Sequence, residues 1–480
     1  MKGLARPSVL LVLLAGACAT GGGGAGTTSG PRGGPDVPES LRPGYGNAEL
    51  HTWWPLTPPE AAALRGLPAA RRGDARALLA LAIAASGDHR DAASYASYQQ
   101  RIDQFVARVR PSVSGAADEW HRGYELHRAM HRELFAGSSR PSGDKVELGG
   151  YDFYQGRITG IFEKGTYNCL SSAVLFTVLA RELGLPVRAA VVPTHVFVEL
   201  GPPGGKVTEI ETTSSTGFDW IHDERFYRDG AAAWSARRGL GPTTYEEYRR
   251  RRIIAPYQLM ALAMRDGHRA GGEQDQHRLD ELAGVVDPDV PDAQQARLRV
   301  YSNEAHDLFE AKAWRTMAKL FDTVRPAVDE IATKSKDGQT RELASWANWY
   351  HAHALVMVGR PDEGIAAMGR GLEHLDPTWT DAVTLRDNYL GVLVNRLGDL
   401  VEHKDYSTAA RTFTSYRDLC LSRPECAANG SVIFQNWSIE HQNAGDWQAA
   451  RQVLRDCVSQ LPDDRACREA LTDLEARHGF

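Results

Sequence analysis

The stretch from residue 168 to residue 212 constrains the fold more than any other part of this 480-residue chain. Between Cys169 and Ala180 the side chains are apolar on nearly all sides of a helical pattern. Such a helix is buried at the centre of a domain, because a surface helix keeps one polar face. Gly184 and Pro186 end the helix. Three stretches with β-strand character follow, at 187–192, 195–200 and 207–212. The pattern predicts a central helix beside a small sheet.

Two reactive side chains lie in this stretch, Cys169 and His195. Asn168 is a good N-cap, so Cys169 falls in the first helical turn, where the helix dipole favours a thiolate. An imidazole beside the thiol can act as its base if a third group orients the ring. Glu209 and Glu211 are the candidates, on one face of the third strand. The alternative is structural, because a lone cysteine on an apolar helix is commonly an inert core residue.

The beginning of the chain indicates secretion. Basic residues precede the apolar run Val9–Leu14, which is too short to span a membrane. Small residues then precede Cys18, and this pattern resembles a bacterial lipobox, in which Cys18 becomes the lipidated first residue of the mature protein. The alternative is ordinary cleavage near Ala17. Residues 19–45 are rich in glycine, serine, threonine and proline, which predicts a disordered tether.

Charge argues against a nucleic-acid partner. The formal net charge is −6, whereas nucleic-acid binding depends on lysine and arginine contacts to phosphates. The basic run 249–252 follows Glu246 and Glu247 at helical spacing, so a solvated helix face is the better interpretation. No apolar run long enough for a membrane span follows the signal, so we expect the N-terminal lipid alone to bind the membrane. The sequence indicates no cofactor and no metal.

The cysteines near the end of the chain indicate disulfides. Outside the cytosol disulfides are permitted, and four cysteines crowd together at Cys420, Cys426, Cys457 and Cys467. Local bridges, Cys420 to Cys426 and Cys457 to Cys467, would each close one loop, but the sequence leaves the other pairings open. Zinc binding is less favoured, because the CxxC spacing is absent. If these four are paired and Cys18 is lipidated, Cys169 is the free thiol.

The region from about residue 58 to residue 135 has helical periodicity. Within it His127 and His131 are four residues apart, which places two imidazoles on one helix face. A zinc-protease helix has glutamate after the first histidine, where this chain has Arg128. A solvated helix face is therefore the favoured interpretation of the two histidines.

Three parts of the central stretch resemble the core of the transglutaminase-like superfamily: 165–169 (GTYNC), 180–188 (ARELGLPVR) and 194–197 (THVF). Members share a papain-like arrangement of a cysteine on a central helix with a histidine and an acid on the adjoining sheet. The resemblance implies that Cys169 is the nucleophile and His195 the general base. Glu211 matches the acid, which is usually aspartate before Pro-Thr. This chain also departs from the pattern at Val196 and Phe197, where members commonly have Ala-Trp.

The last part of the chain is helical and repetitive. The stretch 346–366 combines an aromatic and small-residue helix, a glycine turn and a second helix, and 434–450 repeats this order. Residues 406–413 fit the second helix of a degenerate repeat between them. The pattern resembles tetratricopeptide-like hairpins, which stack because one pair cannot bury its apolar face alone. A protein or peptide partner would dock on such repeats. The alternative is a generic helical bundle.

These observations predict an α+β transglutaminase-like (papain-like) core with an N-terminal helical segment, followed by an all-α tetratricopeptide-like repeat domain. The predicted segments are a signal peptide (1–18), a tether (19–45), the helical segment (46–140), the transglutaminase-like domain (141–255) and the repeats (256–480). The predicted protein is a bacterial cell-envelope lipoprotein that faces the periplasm or the outer surface. Its predicted activity is that of a cysteine amidase or peptidase, or of an acyltransferase, on a protein or peptide. The alternative is a non-catalytic scaffold whose repeats bind a protein.

Overall fold

The computed structural model describes most of the chain beyond residue 48. The described residues are 49–135, 153–193, 195–202, 204–220, 223–225, 227–228, 244–266, 273–289 and 291–479. The predicted signal peptide, Cys18 and the tether lie outside these residues. Within them, no helix combines the length and the hydropathy that a membrane span needs.

Five helices precede the central stretch: α1 (Pro58–Arg65), α2 (Leu67–Arg71), α3 (Ala75–Ser86), α4 (Ala92–Ser114) and α5 (Glu119–Glu133). Short polar side chains set where four of them begin. Thr57 and Glu60 form a capping box at α1. Asp74, Asp91 and Asp118 accept hydrogen bonds from first-turn N–H groups of α3, α4 and α5. These caps satisfy backbone donors that have no partner inside the helix.

The central helix follows a short one: α6 (Ile158–Lys164) precedes α7 (Cys169–Glu182). Every residue of α7 from Leu170 to Ala180 is buried. This confirms the expectation that a helix apolar on all sides is surrounded by protein. Its packing partners include α3, α5 and the sheet, so α7 contacts both the N-terminal helices and the strands.

The described strands form one antiparallel sheet in the order β3-β2-β1-β4. They are β1 (Val187–Val192), β2 (His195–Leu200), β3 (Thr208–Ile210) and β4 (Arg252–Ile254). The strand face that shares a core with α7 is apolar and includes Ala189, Val196, Val198, Leu200, Ile210 and Ile254. On the other face, Phe197 packs in a smaller cluster with Tyr227 and Tyr248. The alternation along β2 explains the two environments.

The predicted fold class, an α+β transglutaminase-like core with tetratricopeptide-like repeats, is wrong. Helices form most of the described chain, and its β-structure is a small four-stranded antiparallel sheet. Two of the strands, β3 and β4, have three residues each. A sheet of this size cannot cover a core alone, so helices complete it. One hydrophobic core runs from Ala63 to Val286 and includes the N-terminal helices as well as the sheet.

Helices also form most of the described chain after β3. They are α8 (Tyr245–Arg249), α9 (Pro256–Asp266), α10 (Glu273–Val286), α11 (Pro291–Glu310), α12 (Trp314–Lys334), α13 (Gly338–Met357), α14 (Pro361–His374), α15 (Ala382–Glu402), α16 (Tyr406–Ser415), α17 (Arg417–Leu421), α18 (Pro424–Asn443), α19 (Trp447–Gln460) and α20 (Arg465–His478). Helices α9 and α10 contribute to the first core, past the predicted boundary at residue 255. A second core begins with Trp53 and Trp54 and continues through Leu298 to Cys467.

The same turn joins four helix pairs in this region. Lys312, Gly359, Lys404 and Gly445 each follow a helix with a positive φ between 56° and 82°. The next residue donates its N–H back into the helix just ended, as Arg360 does to the Leu355 carbonyl. A left-handed residue after a helix ends it and reverses the chain. The four turns are more widely spaced than the roughly 34-residue tetratricopeptide period.

A candidate cysteine, histidine and glutamate site

Cys169 is the first residue of α7, and the cap before it is fully formed. The Asn168 side chain accepts hydrogen bonds from the N–H groups of Leu170 at 2.9 Å and Ser171 at 3.1 Å. The Ser171 hydroxyl accepts a hydrogen bond from the Asn168 N–H at 3.1 Å. Cys169 is half-buried, and it is the free cysteine of the described chain. Its thiol therefore lies at the N-terminal end of a buried helix, where the backbone N–H groups point toward it.

His195 is the first residue of β2 and makes contact with both other members of the predicted site. Its Nε2 lies 2.6 Å from Glu211 Oε2, and it also hydrogen-bonds Cys169. Burial alone would lower the His195 pKa. The charges of Glu211 and Cys169, together with hydrogen bonds to both, outweigh burial and raise the pKa well above its ordinary value. The structure thus brings the predicted Cys169, His195 and Glu211 together.

Glu211 is buried and is held as a carboxylate. Burial opposes ionisation, but the His195 charge and hydrogen bonds from His195 and Thr213 lower the Glu211 pKa to about 2. Thr213 donates to Oε1 from its N–H at 3.1 Å and from its hydroxyl at 2.5 Å. The two carboxylate oxygens therefore have separate partners, since Oε2 faces His195 and Oε1 faces Thr213.

Glu211 lies just after β3, in a tight turn that we call the Glu211 turn (residues 211–214). The Glu211 N–H donates to the Gly217 carbonyl at 2.8 Å, and the Gly217 N–H donates to the Ser214 carbonyl at 2.9 Å. A Cβ atom at Gly217 would lie 2.2 Å from the Glu211 carbonyl oxygen. The close return of the chain to Glu211 therefore requires glycine at this position.

The structure separates the two glutamates that the sequence left as alternatives. Glu209 lies within β3, where it accepts a hydrogen bond from the Tyr248 hydroxyl and lies 3.4 Å from Arg251. Arg251 also pairs with the buried Glu199 at 3.0 Å. Strand alternation predicted one face for Glu209 and Glu211. In the register of β2 with β3, Glu209 lies opposite Glu199, four residues along β2 from His195. Glu211 is therefore the acid within reach of the imidazole.

One histidine of α5, His131, contacts the Glu211 turn and the other, His127, is buried beside it, so the solvated-face interpretation of His127 and His131 is wrong. His127 is fully buried, and the two rings lie 4.6 Å apart. His131 Nε2 lies 3.1 Å from the Thr212 carbonyl oxygen. Helical spacing offered a signal, because His127 lies three residues before Met130, which is also buried. From α7, the Ser172 hydroxyl contacts the Thr212 hydroxyl at 2.8 Å.

Of the remaining predicted sites, the four cysteines near the end of the chain lie in the described residues. Disulfides join Cys420 to Cys426 and Cys457 to Cys467, which are the local pairings among the alternatives. Cys18, the predicted lipidation site, lies outside the described residues. In the basic run, Arg250 pairs with Glu246 at 2.7 Å on an exposed face as expected. Arg251 does not fit a solvated helix face, because it pairs with the buried Glu199 at 3.0 Å, and Arg252 lies in β4.

One group of possible metal ligands occurs in the described residues, formed by Asp88, His89 and Glu163. Both carboxylates already accept hydrogen bonds or ion pairs from the protein. Glu163 pairs with His89 at 2.8 Å, and Asp88 accepts from Thr159 at 3.0 Å. We assign no metal to this group, since these internal pairs account for its geometry.

Comparisons with known proteins add little. No protein-family model matches the chain, and no curated protein matches it. Among solved structures, one match is a crystal structure of menin, described as revealing the binding site for the Mixed Lineage Leukemia (MLL) protein. The match has 11% sequence identity and a TM-score of 0.33, and it covers 86% of this chain and 91% of that chain. A likeness this low carries no argument about fold or function.

Proposed function

We propose that the protein is a cysteine-dependent amide hydrolase or acyltransferase that acts on a protein or peptide. The observation that carries the proposal is the position of His195 between Cys169 and Glu211, with 2.6 Å between Nε2 and the carboxylate. A nucleophile, a base and an orienting acid in this order are the parts that covalent amide chemistry needs. The local sequence resemblance to the transglutaminase-like superfamily supports the same assignment of roles.

The chemistry follows from the charges of the site. The Cys169 thiolate attacks the amide carbonyl carbon, and a sulfur–carbon bond forms. His195 gives its proton to the departing amine as the carbon–nitrogen bond breaks, which leaves a thioester on Cys169. Water or a second amine then attacks the thioester, and His195 accepts the proton of this nucleophile. The sulfur–carbon bond breaks, and the thiolate and imidazolium are restored.

Glu211 acts through His195. Its carboxylate stabilises the imidazolium and fixes which ring nitrogen faces the thiol. The buried environment strengthens this interaction, because the effective dielectric constant is lower than in water. The glutamate in place of the usual aspartate is accommodated by the turn after β3, which brings Oε2 within hydrogen-bonding distance of His195.

The cellular setting that we propose rests on the sequence alone. The signal-like first residues and Cys18 support a lipid-anchored protein of the bacterial cell envelope, with the described domains outside the cytosol. The disulfides at Cys420–Cys426 and Cys457–Cys467 support an oxidising compartment. Detection of a diacylglyceryl group on Cys18 by mass spectrometry would test the anchor, with Cys18→Ala as the control.

A second candidate function is a scaffold that binds a protein partner through its helical region. The supporting observation is the distribution of exposed large apolar side chains. Six of the eight in the described chain lie in this region, at Met357, Val383, Leu421, Val432, Ile439 and Trp447. Val432 and Ile439 are seven residues apart on α18, so they share one face of that helix. Exposed apolar side chains mark interaction sites where they lie together on one surface, and this pair on α18 is where the described helices show such an arrangement.

Alkylation of Cys169 separates the two functions. The rate of iodoacetamide reaction at Cys169 is measured against pH in the full chain, with peptide mass mapping to read this cysteine alone. We expect fast alkylation below neutral pH, lost in His195→Ala. His121→Ala is the matched control, because His121 is exposed on α5 and pairs with Asp118. A thiol that reacts like free cysteine and is indifferent to His195 would refute the catalytic proposal and leave the scaffold.

A further inference from the structure

Helix α5 brings two histidines that the proposed chemistry does not use to the Glu211 turn. His131 Nε2 lies 3.1 Å from the Thr212 carbonyl oxygen. His127 lies beside it, with 4.6 Å between the ring centroids, and both His127 nitrogens are buried without a hydrogen-bond partner in the described chain. Thr212 directly follows Glu211. A hydrogen bond to the Thr212 carbonyl therefore restrains the peptide between Thr212 and Thr213, next to the acid.

Helix α5 packs closely against the sheet beside the turn. A Cβ atom at Gly123 would lie 2.3 Å from Leu200 Cδ2, so glycine lets α5 approach the β2 side chain. The His127 ring packs against Phe218 with 5.8 Å between ring centroids, and the His131 ring packs edge-on against Phe135 at 5.1 Å. Each imidazole is therefore held by an aromatic neighbour, and its nitrogens have little freedom to move.

The charge state of His127 is compatible with a carboxylate at Glu211. Burial, with the nearby His131, lowers the His127 pKa to about 4, although the Glu211 charge acts in the other direction. At neutral pH His127 is therefore uncharged, so it adds no positive charge to compete with His195 for the Glu211 carboxylate. The titratable groups that face His127 are His131 and Glu211.

We propose that His131, packed against His127, is a positioning residue for Glu211. In this arrangement His131 Nε2–H donates to the Thr212 carbonyl, fixes the Glu211 turn against α5, and so sets the distance between the Glu211 carboxylate and His195. The turn is also restrained from α7, where Ser172 contacts the Thr212 side chain at 2.8 Å. Ser172 contacts the side chain of Thr212, whereas His131 contacts its backbone carbonyl. The inference rests on the proposed function of Cys169.

Two polar substitutions of His131, similar in size, test this positioning role. In His131→Gln the side-chain amide can reach the Thr212 carbonyl from the position of Nε2. In His131→Asn the shorter amide matches the position of Nδ1 and cannot reach. His121→Asn on the exposed side of α5 is the matched control. The readout is the midpoint pH of Cys169 alkylation by iodoacetamide in the full chain, with the thermal unfolding midpoint measured in parallel.

We expect His131→Asn to shift the alkylation midpoint upward by about one pH unit, a tenfold loss of thiolate at a given pH. His131→Gln and His121→Asn should keep the wild-type midpoint. A merely structural role would change the unfolding temperature and leave the pH profile as it is, and this result would overturn the inference. If the wild-type profile already matches free cysteine, the proposed function fails instead. Should His131→Asn not fold, a shifted midpoint in His131→Gln would overturn the inference.

Discussion

Substitution of Glu211 by glutamine tests the electrostatic basis of the site most directly. The variant keeps the size of the side chain and removes its charge. The glutamine oxygen can still accept from Thr213, which now donates to Oε1. Its NH₂ group would then face His195 Nε2 and favour the tautomer in which that nitrogen is unprotonated. Both changes act against a positively charged imidazole.

The size of the effect follows from the Glu211 pKa. Burial would raise this pKa, yet His195 and Thr213 lower it from 4.5 to about 2. The carboxylate is therefore favoured by roughly 3–4 kcal/mol, at about 1.4 kcal/mol for each pKa unit. His195 lowers the Glu211 pKa more than Thr213 does, so we assign more than half of this, roughly 2 kcal/mol, to the His195 charge. By reciprocity the imidazolium loses the same stabilisation, which corresponds to a decrease of about 30-fold in the thiolate–imidazolium pair.

The assay is the second-order rate constant of Cys169 alkylation near pH 6, with circular dichroism to verify the fold. Glu209→Gln is the matched control, because it removes the same charge two residues earlier. Its carboxylate binds Tyr248 and Arg251 instead of His195. We expect Glu211→Gln to react about 30-fold more slowly than the wild type, and Glu209→Gln to react at the wild-type rate. A decrease of less than about threefold in folded Glu211→Gln would refute the electrostatic reasoning.

Three further predictions concern stability. Gly217→Ala places a Cβ atom 2.2 Å from the Glu211 carbonyl oxygen, so urea unfolding should show a loss of about 1–3 kcal/mol. Gly391→Ala, with open space around the Cβ position, should show none. Removing the disulfide Cys420–Cys426, which closes a loop of sequence separation 6, should lower the unfolding free energy by about 2 kcal/mol and leave Cys169 alkylation unchanged. Glu211 has a lowered pKa, so its stabilisation is present above about pH 4.5 and disappears as the pH falls toward 2. Wild-type stability should therefore fall more steeply with acid than that of Glu211→Gln, and equal slopes would contradict this.

The local structure around the site was predictable because its causes are local. Asn168 before an apolar run predicts a capped, buried helix, and Gly184 with Pro186 predicts its end. The β-strands at 187–192 and 195–200 were placed correctly by their apolar patterns. The local disulfide pairings were among the alternatives, because Cys420 and Cys457 end helical segments near their partners.

The fold class was not predictable from the same signals. Strand patterns state that a segment is extended, but they do not state how large the sheet is. The sheet remains small because β3 and β4 have three residues each. The helical periodicity of the first region gave no sign that α3 and α5 pack on α7 in one core. Two of the four repeated turns were also hidden, because Lys312 and Lys404 occupy positions where glycine would be expected.

For the candidate site, the sequence was enough to predict the residue types and their order: a cysteine in the first turn of a buried helix, a histidine opening a strand, and two acids further on. It left open which acid contacts the histidine. The pairing of the strands settles this, because the register places Glu209 opposite Glu199, away from His195, and leaves Glu211 in contact with the imidazole. The tertiary structure also placed His131 against Thr212, a contact between residues 81 positions apart. Such contacts depend on how helices pack, and no local pattern in the sequence encodes them.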